Sequence, residues 1–145
     1  EASSWRETMA VNLDAPFFLS KYATPYFKSQ KSGRIINITS IVAQTGFIGT
    51  SAYSASKAGL IGLTKTLSKE LVNYGVTVNA IALGYFDVGM IKDVPTDIRE
   101  EIIESIPVGR LGHPKTVLKT IKWLLSDEGA YITGQTINLN GGLYS

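Results

Sequence analysis

The sequence predicts an α/β fold, a parallel sheet of three short strands joined by long crossover helices. Three observations carry this. Runs rich in β-branched residues at 34–39, 76–81 and 135–139 alternate with longer stretches whose apolar residues recur at helical spacing. Strands alternating with long helices give a parallel sheet with crossover connections. The composition, 44% hydrophobic and 18% charged over 145 residues, is that of a globular domain. A chain of this length can bury roughly 68–70% of its unfolded surface, so a sizeable core is within reach.

Residues 4–29 place Trp5, Met9, Leu13, Phe17, Tyr22 and Phe27 at helical spacing, with Ser3 or Ser4 as the cap. Pro16 lies inside this helix, where its missing N–H predicts a kink about one turn beyond Asn12 and a freed carbonyl near it. Gly33 and its neighbours stop the helix, the first strand follows, and Ser40 sits at its carboxyl end. A loop holding Gly46 and Gly49 leads into a second long helix over 52–72, with Leu60, Leu63, Leu67 and Leu71 on one stripe. Gly59 and Gly62 lie within that helix. Each costs about 1 kcal/mol against alanine, which predicts another backbone packed closely against them.

Gly75 separates the second helix from the second strand, and Leu83-Gly84 breaks that strand. Residues 85–114 are mixed. They hold Pro95, Pro107 and an acidic helical piece (Asp97, Glu100, Glu101, Glu104) over Ile98, Ile102 and Ile103, and such a long connection predicts a lid. Pro114 opens a third helix to about 125, with Val117, Leu118, Ile121 and Leu125 inward and Lys115, Lys119 and Lys122 on a solvated face. Gly134 precedes the third strand, and Asn140 follows it.

This architecture fixes where chemistry belongs. Ligands of open α/β sheets bind beyond the carboxyl ends of strands, here marked by Ser40, Gly84 and Asn140. Tyr53 and Lys57 open the helix that follows Ser40, four residues apart and so on one face. An ammonium beside a phenol favours the phenolate, which suits a tyrosine to acid–base work. Tyrosine–lysine pairs are common on solvated helix faces. The small residues Ala52, Ser54, Ala55, Ser56, Ala58 and Gly59 set this one apart by leaving room for a ligand.

Other chemistries are excluded by residue type. There is no cysteine, and His113 is the single histidine, so thiolate and multi-histidine metal sites are ruled out; His113, just before Pro114, reads as a cap. A net charge of +2 points to no nucleic acid. No apolar run reaches the roughly 18 residues of a membrane helix, and no signal-peptide pattern opens the chain, so a soluble, cytosolic protein is expected. Three parallel strands with one bare edge are a poor unit by themselves, and something is expected beside residues 34–39. The absence of an initiating methionine agrees with an incomplete domain spanning 1–145.

The spacing of Ser40 thirteen residues before Tyr53, the run Tyr53-Ser-Ala-Ser-Lys57, Asn12 in the preceding helix and the strand end Asn79-Ala-Ile-Ala-Leu-Gly84 resemble the short-chain dehydrogenase/reductases along the whole chain. Arg110-Leu-Gly112, Tyr131-Ile-Thr-Gly134 and Asn140-Gly-Gly142 look most like its 3-oxoacyl-acyl-carrier-protein reductases. The resemblance implies the carboxyl-terminal, catalytic half of a Rossmann-type domain. It implies NADPH-dependent reduction of a 3-oxoacyl thioester in fatty acid synthesis, with NADP(H) preferred to NAD(H). Tyr53 would be the acid, Lys57 its partner and the holder of the nicotinamide ribose, Ser40 the group that polarises the carbonyl, and Asn12 the holder of a relay water. Gly84, Phe86 and Val88 would line the cofactor. Val88 stands where a threonine is usual, and Leu83 where a proline is. Lys31 matches a basic residue that faces the acyl carrier protein, whereas Tyr74 replaces a second arginine. The family's glycine-rich phosphate loop is not among these residues, and Gly46-Phe-Ile-Gly49 lacks its spacing. The resemblance also implies a homodimer or homotetramer, in the cytoplasm or the plastid stroma. The competing readings are a reductase of another alcohol or sugar, and a non-catalytic assembly module.

Overall fold

A computed structural model describes residues 2–145 of the chain. The first helical stretch is continuous but not uniform: α1 (Ala2–Met9) passes through a five-residue π-turn (Ala10–Asp14) into α2 (Ala15–Gln30). The irregularity expected from Pro16 therefore lies upstream of it and contains Asn12. Pro16 occupies the first turn of α2, where a missing N–H costs little, while the wider i→i+5 turn absorbs the mismatch. Ser3 and Ser4 lie inside α1 and do not cap it. The expected apolar stripe is also not the buried one. Trp5, Phe17 and Tyr22 are exposed, and Ser20 is the buried residue of α2. Lys31 closes α2 in the left-handed conformation, φ 51°, with its N–H on Phe27 O.

Strand β1 (Gly33–Ser40) leads through the single turn α3 (Val42–Thr45) to α4 (Ser51–Leu71), and β2 (Val76–Leu83) follows. A 3₁₀ turn (Gly89–Lys92), α5 (Thr96–Ser105), α6 (Pro114–Leu125) and β3 (Thr136–Leu139) complete the order. The sheet is parallel throughout in the order β1-β2-β3, with Gly33 opposite Val76, Ser40 opposite Leu83 and Leu83 opposite Leu139. β2 is central and buried from Val76 to Ala82, which fits its small and β-branched residues; the one interruption, Asn79, donates its amide to Ile132 O. Leu71, Val76 and Val78 form a core cluster closed by Phe27, Ile35 and Leu67. Each fully buried side chain of this kind contributes about 1.5–3 kcal/mol.

The contact of α4 with β1 is polar where an apolar one would be usual. Between Leu60 and Leu71 the buried positions of α4 include Thr64 and Ser68, and Ser56 is buried one turn before Leu60. Asn37 Nδ2 donates to Thr64 Oγ1 at 2.9 Å, and Thr39 Oγ1 donates to Lys57 O at 3.0 Å. These bonds set the height of α4 along β1 more sharply than apolar packing would.

Two expectations about helix faces need correction. A Cβ on Gly59 would meet the Leu13 side chain at 2.8 Å, not a backbone, and one on Gly62 would meet nothing within 4 Å. On α6 the buried residue is Leu124, while Leu118 and Leu125 are 51% and 52% exposed. Residues 117, 121 and 124 form the inward stripe, and 118 and 125 lie one step around the helix from it.

Leu83 O accepts from Ile41 N–H just past the end of β1, so residues 37 and 39 of β1, in step with 41, bond toward β2, and Ile36 and Ile38 turn their backbone groups to the open edge. Along that edge runs a groove of about 490 Å³, walled on the other side by Asn12, Pro16, Leu19, Ala23 and Phe27.

Candidate active site

Ser40, the last residue of β1, reaches the sheet's carboxyl end opposite Leu83. Its Oγ accepts from Val42 N–H at 3.4 Å, so it also caps the turn into α3. Tyr53 stands in the first turn of α4 and is 40% exposed. Lys57, one turn later, donates from Nζ to Ile38 O at 2.9 Å, and its ammonium lies 5.7 Å from the centroid of the Tyr53 ring. Burial, which penalises the charged form, holds the Lys57 pKa below the ordinary lysine value.

Ser40, Tyr53, Lys57, Gly84, Phe86 and Val88 line one cavity of about 360 Å³. Its far wall is Met90, Ile91 and Val94 from the 3₁₀ turn and its exit, with Ile102 from α5. The segment expected to form a lid thus supplies an apolar wall. No charged side chain other than Lys57 lines this cavity among the described residues.

Asn12 is the exception. It opens onto the groove beside β1 and not onto this cavity, and Lys57 and Ile38 line both. The Asn12 amide donates to Ser56 Oγ at 3.1 Å, and Ser56, with no exposed surface, donates in turn to Tyr53 O at 2.7 Å. By sequence Ser56 is one small residue among several. Its signal lay in the periodicity: residues 56, 60, 64 and 68 form the inward stripe of α4.

Gly84 is required by close approach. A Cβ there would sit 2.8 Å from Asn140 Cα, where the turn after β3 crosses the end of β2. Asn140 builds that turn, accepting from Gly142 N–H at 2.9 Å and donating to Tyr144 O at 2.8 Å. Phe86 is held by a bridge to Gly112: Asp87 N–H donates to Gly112 O and Gly112 N–H to Tyr85 O, each at 2.9 Å. A Cβ on Gly112 would strike the Phe86 ring at 2.6 Å, a constraint that the sequence alone did not reveal. Val88 N–H donates to Phe86 O at 2.7 Å. The N–H groups of Asp87 and Val88 therefore already have partners. His113 caps α6 as expected, its Nδ1 accepting from Lys115 N–H at 3.1 Å.

The arrangement suits proton transfer. A hydroxyl, a phenol and a partly desolvated ammonium face one concavity at the strand ends, the place where open α/β sheets bind ligands. Among the described residues no helix is long and apolar enough to cross a membrane.

Comparison with known proteins agrees with this geometry. Residues 1–144 match the short-chain dehydrogenase/reductase family model described as Enoyl-(Acyl carrier protein) reductase. The chain is 43% identical over 140 residues to the 3-oxoacyl-(acyl-carrier-protein) reductase FabG of Staphylococcus epidermidis, covering 97% of this chain and 57% of that protein. The enzyme of the same description from Thermotoga maritima is 42% identical over 139 residues, covering 96% and 56%. Nodulation protein G of Azospirillum brasilense is 42% identical over 143 residues, covering 99% and 58%. The chain thus spans somewhat over half the length of these curated relatives. With a family match along nearly its whole length, and its strand-end serine, tyrosine and lysine on one cavity, the chain belongs to the short-chain dehydrogenase/reductase family.

Proposed function

We propose that this chain is the catalytic half of an NADP(H)-dependent reductase that converts the carbonyl of a 3-oxoacyl thioester to the hydroxyl in fatty acid synthesis, in the cytoplasm or the plastid stroma. One observation carries the reading: Ser40, Tyr53 and Lys57 converge on a single cavity whose opposite wall is apolar. That wall offers a hydrocarbon tail a surface to cover and offers a sugar no hydrogen-bonding side chain. The named substrates of the two FabG relatives point the same way.

The residues fit the nicotinamide end of such a cofactor. Gly84, Phe86 and Val88 line the cavity beside Tyr53 and Lys57. When bound, the cofactor supplies the hydride. Tyr53 donates its phenolic proton to the carbonyl oxygen as negative charge develops there, and Ser40 donates a hydrogen bond to the same oxygen. Lys57, held between the cavity and the groove, orients the ribose and takes part in returning the proton to Tyr53. Asn12, on the groove side of Lys57, serves the path to solvent.

The open edge of β1 supports the half-domain reading. Ile38 O is an edge carbonyl, and it takes the Lys57 ammonium. A strand laid in the 490 Å³ groove would claim that carbonyl and leave Nζ to the ligand. The acyl-carrier reading draws on Lys31 and on the Lys28 ammonium, which lies 4.5 Å from the Tyr74 ring centroid and so sets a cation beside the replaced arginine. Assembly as a dimer or tetramer is supported by the exposed Phe18 and Tyr22, stacked at 6.4 Å on α2, and by the open face at Gly62.

The test is Tyr53→Phe in the complete polypeptide that carries this chain. Reduction of an acetoacetyl thioester should fall by at least about 10²-fold, the usual worth of a general acid, while NADPH binding followed by its fluorescence persists. Turnover retained in the variant, or a preference for free sugars over the thioester, overturns the assignment.

A further inference from the structure

We propose that Ser56 is a positioning residue of this site, fastening the π-turn that carries Asn12 to the helix turn that carries Tyr53 and Lys57. Ser56 has one proton, and its 2.7 Å bond to Tyr53 O uses it. Its lone pairs are then what Asn12 Nδ2 finds at 3.1 Å, so the direction of both bonds is determined. The hydroxyl is wholly buried and neighbours Lys57 in sequence.

The geometry explains why a hydroxyl is needed and a small side chain alone would not do. In the π-turn Ala10–Asp14 the i→i+5 pattern leaves backbone carbonyls without their α-helical partners. Where such a wide turn sits along a helix is weakly determined by packing, because it can migrate by a residue. The Asn12–Ser56 bond ties it to one level of α4, the level immediately before Lys57. The same hydroxyl gives Tyr53 O a donor from the residue three ahead of it, a local bond that bends helices. One buried oxygen thus sets the relative placement of Asn12, Tyr53 and Lys57 without touching the cavity. Alanine at 56 would fill the space and keep the packing, but it would lose both bonds.

The proposal rests on the carbonyl-reduction reading, and its test separates the two. In the complete polypeptide, Ser56→Ala, Asn12→Ala and the double variant are assayed with NADPH and an acetoacetyl thioester. The expected result for Ser56→Ala is a fall in kcat of up to about tenfold, one net hydrogen bond, with KM for NADPH within about twofold and a displaced pH profile. The double variant should be no slower than the slower single variant, because the two residues act as one unit. The side-chain amide resonances of Asn12 should move in Ser56→Ala. An unchanged kcat, equal losses in kcat and NADPH binding, or multiplying effects in the double variant overturns the proposal. If the unmodified protein reduces no thioester, the activity reading fails by itself. Ser56 is then judged by NMR: unmoved Asn12 amide resonances and an unmoved Lys57 ammonium titration in Ser56→Ala overturn it, and shifts in both uphold it.

Discussion

Replacing Thr64 by valine tests the polar seam that seats α4 on β1. Valine matches threonine in shape, so the change removes one hydroxyl from a site with no exposed surface and leaves the packing alone. Asn37, 8% exposed, then has an amide hydrogen whose acceptor at 2.9 Å is gone. An orphaned buried donor costs about 1–3 kcal/mol, more than the bond itself contributes. At about 3 °C per kcal/mol for a chain of this size, the melting temperature should fall by about 3–9 °C. The asymmetry supplies the control. Asn37→Leu combined with Thr64→Val removes both partners and should recover most of the loss, whereas unrelated damage would add. Thr39→Val, which deletes a donor to a helical carbonyl and orphans no side chain, should cost only about 0.5–1.5 kcal/mol. Urea denaturation followed by far-UV circular dichroism, with the slope checked for constancy, measures all four proteins. A Thr64→Val protein within about 0.5 kcal/mol of the parent, below the range for an orphaned donor, would refute the seam as the element that sets the helix.

Three further substitutions probe what the helix faces do. Burial holds the Lys57 pKa below the ordinary 10.5, so between the lowered value and 10.5 the unfolded chain binds more protons than the folded one. Stability should therefore rise with pH across that window in the parent and not in Lys57→Met; parallel urea midpoints for the two proteins through alkaline pH would contradict this. Gly62→Ala, which meets nothing within 4 Å, should stabilise the folded chain by about 0.5–1 kcal/mol, whereas Gly59→Ala must displace Leu13 at 2.8 Å and should gain less or lose. Equal effects at the two positions, read from thermal melts at low protein concentration, would show that the packing around the two glycines is not as described.

The groove beside β1 and the cavity at the strand ends meet at Lys57, and this juxtaposition links stability to chemistry. A lysine that bonds an edge carbonyl while half withdrawn from water depends on what else that edge binds. Whatever pairs with Ile38 changes both the hydration of the ammonium and its direction.

Much of the fold was legible in the residues because it rests on local rules. Period-2 and period-3.6 patterns located the three strands and the long helices to within one or two residues, and alternation of strand and helix predicted the parallel sheet. That Tyr53 and Lys57 share a helix face was legible for the same reason, and Ser40 was joined to them by the resemblance of its spacing to the family pattern; their opening onto one cavity came from the structure. Patterns could not supply what depends on the partner of a face. The exposure of Trp5, Tyr22, Leu118 and Leu125 is decided by what lies across from them, and hydrophobicity is the same on a covered and an uncovered stripe. The irregular turn at Ala10–Asp14 differs from the expected proline kink because sequence shows the missing donor but not how the backbone absorbs it. Ser56 looked like one more small residue until the fold set Asn12, 44 positions away, within hydrogen-bonding distance of it. By itself, then, the sequence determined where the strands and long helices lie, the sheet type, and that Tyr53 and Lys57 share one helix face, all consequences of short-range spacing. Only the tertiary structure decided which faces are covered, that Asn12 lies across Lys57 from the cavity, and that a buried hydroxyl joins them, because each depends on contacts between elements far apart in the chain.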